Sequence, residues 1–293
     1  MSLTVTEIDS QPEIWRRALD ERVGQASELL RLDGRRVLII GCGTSAFVAE
    51  SLAALREQAG LGETDAAYAS EPRVWRDYDA VIALTRSGTT TEVIEALDAL
   101  PAGVRTIAIT GVADSPVARM VDDVLLLDFA DESSVVQTRF PTTVLLLARA
   151  AFGDDVADLP AAAVTALAEP ADPTLADRSH FVYLGSGWTY GLAQEAALKI
   201  REAAQAWAES YPALDYRHGP LAVADERSLV WIFGATEQRL VDDIRATGAT
   251  VITSIDDPLV ELAKAQRLAV AVAERRGLDP DAPRHLTRSI VLG

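Results

Sequence analysis

Cysteine is almost absent from this sequence. Cys42 is the only one in 293 residues, so no internal disulfide is possible and a reducing compartment, the cytoplasm, is expected. Histidine is nearly as scarce. The three are scattered, and no His/Cys/Asp grouping has the spacing of a metal site, so neither a metal nor an organic cofactor is expected. Long apolar runs are missing too: a stretch such as 144–148 is far short of a membrane span. Residues 1–15 are polar and acidic, without the apolar centre of a secretory signal. Basic residues are outnumbered, 27 Lys and Arg against 44 Asp and Glu, and the formal charge of −17 repels nucleic acid and anionic membranes. An anionic ligand therefore needs a local device, such as a helix N-terminus, in place of the overall field.

What the chain does have is alternation, and its 49% hydrophobic content excludes disorder. An amphipathic helix is predicted over 11–31. Strands over 36–40, 80–84, 106–110 and 124–127 then alternate with helices over 46–59, 92–100, 115–120 and 142–152, which implies a doubly wound, mostly parallel α/β sheet. The pattern recurs further on. Val37-Leu38-Ile39-Ile40-Gly41 aligns with Val182-Tyr183-Leu184-Gly185, the run 81–84 with 229–233, and Thr106-Ile107-Ala108-Ile109-Thr110 with Thr250-Val251-Ile252-Thr253. Three matches in one order predict a duplicated α/β domain: a first unit over 1–153, a joint rich in Gly, Asp, Pro and Ala over 154–178, and a second unit over 179–293. In the second unit a buried strand over 181–184 and a Gly-Ser-Gly turn lead into a long helix predicted over 190–210.

Two places carry chemistry. The loop Arg86-Ser87-Gly88-Thr89-Thr90 lies between a strand end and a helix start, where hydroxyls, backbone N–H groups and the helix dipole suit a phosphate. The plainer account is that these residues only cap the helix. At the neighbouring strand end, Gly41-Cys42-Gly43-Thr44-Ser45-Ala46 also fits a loose dinucleotide fingerprint, with Glu63 and Asp65 near the acidic position, but the hydroxyl cluster suits a monophosphate better. Cys42 reads as a small buried side chain. On the long helix, Glu195, Lys199 and Glu202 are four and three residues apart and share one face, which serves either an ordinary ion-paired surface or acid–base work. A turn, Arg217-His218-Gly219-Pro220-Leu221, follows. The first unit keeps the hydroxyls and the second keeps Glu195, Glu202 and His218, so one half is expected to hold a ligand and the other to act on it.

Glu195-Ala196-Ala197-Leu198-Lys199-Ile200-Arg201-Glu202, with His218-Gly219-Pro220-Leu221-Ala222 at the same spacing, resembles the isomerase half of glutamine–fructose-6-phosphate amidotransferase and, more broadly, tandem sugar isomerase (SIS) domain proteins. The resemblance covers nearly the whole chain and implies two duplicated SIS domains. By position it implicates Gly43, Thr44, Ser45, Thr85, Arg86, Ser87, Thr90 and Val135 in gripping a sugar phosphate. It assigns Glu202 as the base that moves a proton between C1 and C2, His218 to ring opening, and Glu195 and Lys199 to orientation. The histidine comes from the partner subunit in that family, so a homodimer is expected. Three departures stand out. Arg86 replaces a glutamine, Arg288 replaces a lysine and cannot form a Schiff base, and the glutaminase half is not in this sequence. The expectation is a sugar-phosphate isomerase for a hexose or aminohexose 6-phosphate, with deamination or deglycation as variants. A non-catalytic sugar-phosphate regulator and a dehydrogenase using the first glycine-rich turn are the rivals.

Overall fold

Residues 2–72 and 76–292 are described by the computed structural model of the chain. Three helices come first, α1 (Leu3–Asp9), α2 (Gln11–Glu21) and α3 (Val23–Leu30). Strands and helices then alternate: β1 (Val37–Gly41), α4 (Thr44–Gln58), β2 (Thr64–Tyr68), β3 (Ala80–Leu84), α5 (Thr91–Asp98), β4 (Arg105–Thr110), α6 (Pro116–Met120), β5 (Asp123–Leu126) and α7 (Arg139–Phe152). These strands form one parallel sheet in the order β2-β1-β3-β4-β5. β1 and β3 are buried along their whole length, because continuous Val, Ile, Leu and Ala runs can be covered on both faces.

Helices α8 (Leu159–Ala168) and α9 (Pro173–Ala176) lead into β6 (His180–Gly185), α10 (Thr189–Ala204) and β7 (Trp207–Pro212). Two 3₁₀ turns follow, Ala213–Arg217 and Pro220–Val223, then β8 (Ser228–Ile232), α11 (Gln238–Arg245), β9 (Thr250–Thr253) and α12 (Pro258–Arg275). The second sheet is also parallel, in the order β7-β6-β8-β9, the same sequence of crossovers as the first four strands of the other sheet.

One apolar core joins the halves. It runs from Trp15 on α2 through Leu52 on α4 and Leu146 on α7 to Leu192 on α10 and Leu262 on α12, while separate clusters around Val81 and Val230 cover the outer faces of the two sheets. Arg149 on α7 reinforces the join: Nη1 donates to Asp257 Oδ1 (2.8 Å) at the start of α12, and the guanidinium sits 5.0 Å from the Trp188 ring. Among the described residues no helix is long and apolar enough to cross a membrane.

The structure corrects several expectations. The helix predicted over 11–31 is two, parted at Arg22, because α2 lies on α7 and α8 whereas α3 lies on α7 and β5. The helix predicted to continue to residue 210 stops at Ala204. Gln205 adopts a left-handed φ of 49°, and the segment beyond pairs with β6 as the edge strand β7. β2 escaped the sequence reading because an edge strand with half-exposed residues has no apolar run. Within the segment 154–178, expected to be a linker or helical joint, α8 packs against α2 and α12. α12 was also missed, although the Asp257 side chain caps it by accepting from Leu259 N (3.0 Å) and Pro258 starts it.

Candidate functional site

Open parallel sheets bind ligands beyond the carboxyl ends of their strands, where the strand order reverses. In the first sheet that point lies between β1 and β3. The loops leaving these strands meet there around a small polar pocket whose wall includes Cys42, Ser45, Thr85, Arg86, Ser87, Thr90, Gln137 and Arg288. Gly88 lets the loop turn so tightly: its φ is +64°, and a Cβ would lie 2.0 Å from Ser115 Oγ. Thr85 Oγ1 accepts from Gly88 N (3.2 Å) and Ser87 Oγ from Thr89 N (3.3 Å), which fixes both hydroxyls in the loop. The C-terminal tail crosses the first turn of α5, where Thr91 N donates to Ile290 O (3.2 Å).

Arg86 sits 2% exposed in this wall. Nη1 donates to Ser134 O (2.8 Å) and Nη2 to Arg288 O (2.8 Å), while Nε is buried with no partner among the described residues. Burial draws its pKa below the usual guanidinium range, with Glu132 opposing. An arginine keeps its proton even so, and a buried cation without a carboxylate partner favours an incoming anion. Gln137 Oε1 is likewise buried and unpartnered.

The second cluster stands on α10. Lys199 Nζ lies 3.3 Å from Glu195 Oε1, 2.6 Å from Glu202 Oε2 and 3.1 Å from Thr44 Oγ1. The Glu195 and Lys199 side chains are each 1% exposed and Glu202 is 19% exposed, so Glu202 is the member of the group that a solute can reach. Burial pushes the Glu195 carboxyl up to about 7; Lys199 opposes this and Glu202 adds to it. For Lys199, burial works against the charged form, but the two carboxylates outweigh it and the pKa is raised.

Thr44 and Ser45, adjacent at the start of α4, join the clusters: one hydroxyl meets Lys199 and the next residue lines the polar pocket. Gly43 contributes a left-handed turn (φ 54°), and half-buried Val135 follows Ser134, the residue on which Arg86 leans. Arg288 lines the pocket, but its Nη2 is held by both Asp131 oxygens (2.6 and 2.7 Å). His218 stands apart. It is exposed, its N–H donates to Asp215 O (2.8 Å), and its imidazole has no hydrogen bond or ion pair among the described residues. Cys42, read from sequence as buried filler, is half-buried and lines the pocket. Gln137, which also lines the pocket, was not singled out from the sequence.

At the corresponding point of the second sheet, Thr189 bridges the loops after β6 and β8: its Oγ1 accepts from Ser186 N (2.9 Å) and donates to Phe233 O (3.1 Å).

A family model described as SIS domain matches residues 32–152 and 174–276. Among curated proteins, the glutamine–fructose-6-phosphate aminotransferase (isomerizing) of Pyrobaculum aerophilum is 29% identical over 314 residues, covering 89% of this chain and 52% of that protein. The protein of the same name from Gloeobacter violaceus is 28% identical, covering 98% and 58%. The chain thus spans about half the length of the curated relatives it matches. Among solved structures, glucosamine-6-phosphate deaminase from Thermotoga maritima superposes with a TM-score of 0.85 at 26% identity, over 99% of this chain and 100% of that one. Tagatose-6-phosphate ketose/aldose isomerase from Escherichia coli shares the fold, with a TM-score of 0.80 at 21% identity over 100% and 96% of the two chains.

Proposed function

The chain belongs to the SIS domain family, and from that premise we propose that it is a sugar-phosphate enzyme that moves a proton between C1 and C2 of a hexose or aminohexose 6-phosphate. The observation that carries this reading is the junction at Thr44–Ser45, where a pocket with a buried arginine whose Nε has no partner among the described residues adjoins a carboxylate held by Lys199. Ser45, Thr85, Arg86, Ser87 and Thr90 bind the phosphate. Glu202 is the base: one carboxylate serves both carbons by taking the proton from C2 of the open-chain aldose and returning it to C1 across a planar enediol. Lys199 and Glu195 orient it. Where C2 carries nitrogen, the enolamine tautomerises to an imine, and water releases ammonia and leaves the ketose.

His218 opens the sugar ring, and it does so from a second copy of the chain. Its exposure, and the lack of any hydrogen bond or ion pair to its imidazole among the described residues, support a shared site in a homodimer. In this reading residues 1–153 hold the ligand, residues 179–293 act on it, and 154–178 join them.

Proton NMR in heavy water tests the proposal with glucosamine 6-phosphate, galactosamine 6-phosphate, fructose 6-phosphate with ammonium, and fructosamine 6-phosphate. At least one should exchange a carbon-bound proton for deuterium, and Glu202→Gln should slow that exchange by about 10²-fold or more. Binding without exchange across the panel would instead support a regulator that senses sugar phosphates. Neither binding nor exchange would overturn the reading.

A further inference from the structure

Arg86 is not held by its own loop alone. Nη1 leans on Ser134 O (2.8 Å), and Ser134 is gripped from α1, which lies outside both segments matched by the family model (residues 32–152 and 174–276). Glu7 on α1 is buried, and its carboxylate accepts from Ser133 N (2.6 Å) and from the Ser134 hydroxyl. α1 is itself pinned at its first turn by Asp281, whose carboxylate accepts from Leu3 N (2.6 Å) and Thr4 N (2.8 Å). Asp281 opens the C-terminal tail that ends over the pocket, where Arg288 O takes the other guanidinium nitrogen, Nη2 (2.8 Å). Both carbonyls that orient Arg86 therefore belong to segments tied through α1.

We propose that Glu7 is a positioning residue for the anion pocket: through Ser133 and Ser134 it sets the guanidinium of Arg86, so anion affinity depends on a side chain that meets no ligand. The inference rests on the phosphate-binding reading given above. A purely structural role for Glu7 would lower stability and leave the affinity of folded protein unchanged. A positioning role lowers affinity, and only while Arg86 is present.

The test is calorimetric titration of inorganic phosphate and of fructose 6-phosphate into the full chain, as wild type, Glu7→Gln, Arg86→Ala and the double variant, with the melting temperature of each unliganded protein recorded separately. Glu7→Gln should weaken binding about tenfold, the scale of one charge-assisted hydrogen bond. The double variant should bind no more weakly than Arg86→Ala, as expected when one residue acts through another. Ser134→Ala removes the hydroxyl that meets Glu7 and should give a smaller loss in the same direction; it replaces Glu7→Gln if that chain does not fold. Unchanged affinity in these variants, or losses that add in the double variant, overturns the inference and leaves the phosphate reading standing. A wild type that binds neither probe overturns both.

Discussion

Glu195 on α10 is closed off from water, with Lys199 Nζ 3.3 Å away and Glu202 paired with the same ammonium at 2.6 Å. Its carboxyl is pushed up from 4.5 to about 7, chiefly by burial. The folded chain therefore binds this proton more tightly than the unfolded chain does. Folding takes up a proton between those two values, and stability from this group falls as pH rises through the window. Glutamine cannot titrate. Between pH 4.5 and pH 7 the wild type should lose more unfolding free energy than Glu195→Gln, by at most about 3 kcal/mol at roughly 1.4 kcal/mol per unit. Urea unfolding at the two pH values measures the difference; parallel losses would mean that the carboxyl titrates in the fold as it does in the unfolded chain.

At the scale of elements, the site depends on how closely α4 and α10 approach. A Cβ on Gly191 would lie 2.2 Å from Ser51 Oγ and 2.3 Å from Phe47 O. Helix propensity alone favours alanine over glycine by about 1 kcal/mol, whereas overpacking a closed contact costs about 1–3 kcal/mol. The carbonyl of Phe47 is part of the helix and cannot swing away, so the steric cost should win. Gly191→Ala is expected to be about 1 kcal/mol less stable than wild type in chemical unfolding. It should also exchange substrate protons more slowly, because widening the gap separates Lys199 from Thr44, now 3.1 Å apart. A variant more stable than wild type would show that the helices can slide to make room.

At the scale of the whole molecule, a single chain leaves Glu202 on α10 and His218 on an exposed turn without a contact between them among the described residues. If the site is shared between two copies, Glu202→Gln and His218→Ala chains are each inactive alone but complement each other. Random pairing of equal amounts makes half of the dimers mixed, and each mixed dimer has one intact site of two, so about a quarter of wild-type activity should return. Assay after unfolding and refolding the two variants together reads this directly. No recovery would remove the shared site and require His218 to act within its own chain or not at all.

The sequence alone determined what is written in short-range spacing. The apolar runs of β1, β3, β6 and β8 were legible because strands buried on both faces leave no other pattern, and their order of recurrence anticipated the matching crossovers of the two sheets. The shared face of Glu195, Lys199 and Glu202 followed from helical spacing, and the polar loops at the ends of β1 and β3 from their place between a strand end and a helix start. Tertiary structure decided the rest. The edge strands β2 and β7 exist because a neighbour is there to pair with them, and α10 ends where that pairing begins. Thr44 reads as a phosphate contact until a lysine far along the chain is seen to reach it. The grip of Glu7 on Ser134, 127 residues away, leaves no local trace in either segment. Burial and partnership between distant residues arise only when the chain closes on itself, and at this site they set which charges are left unpaired.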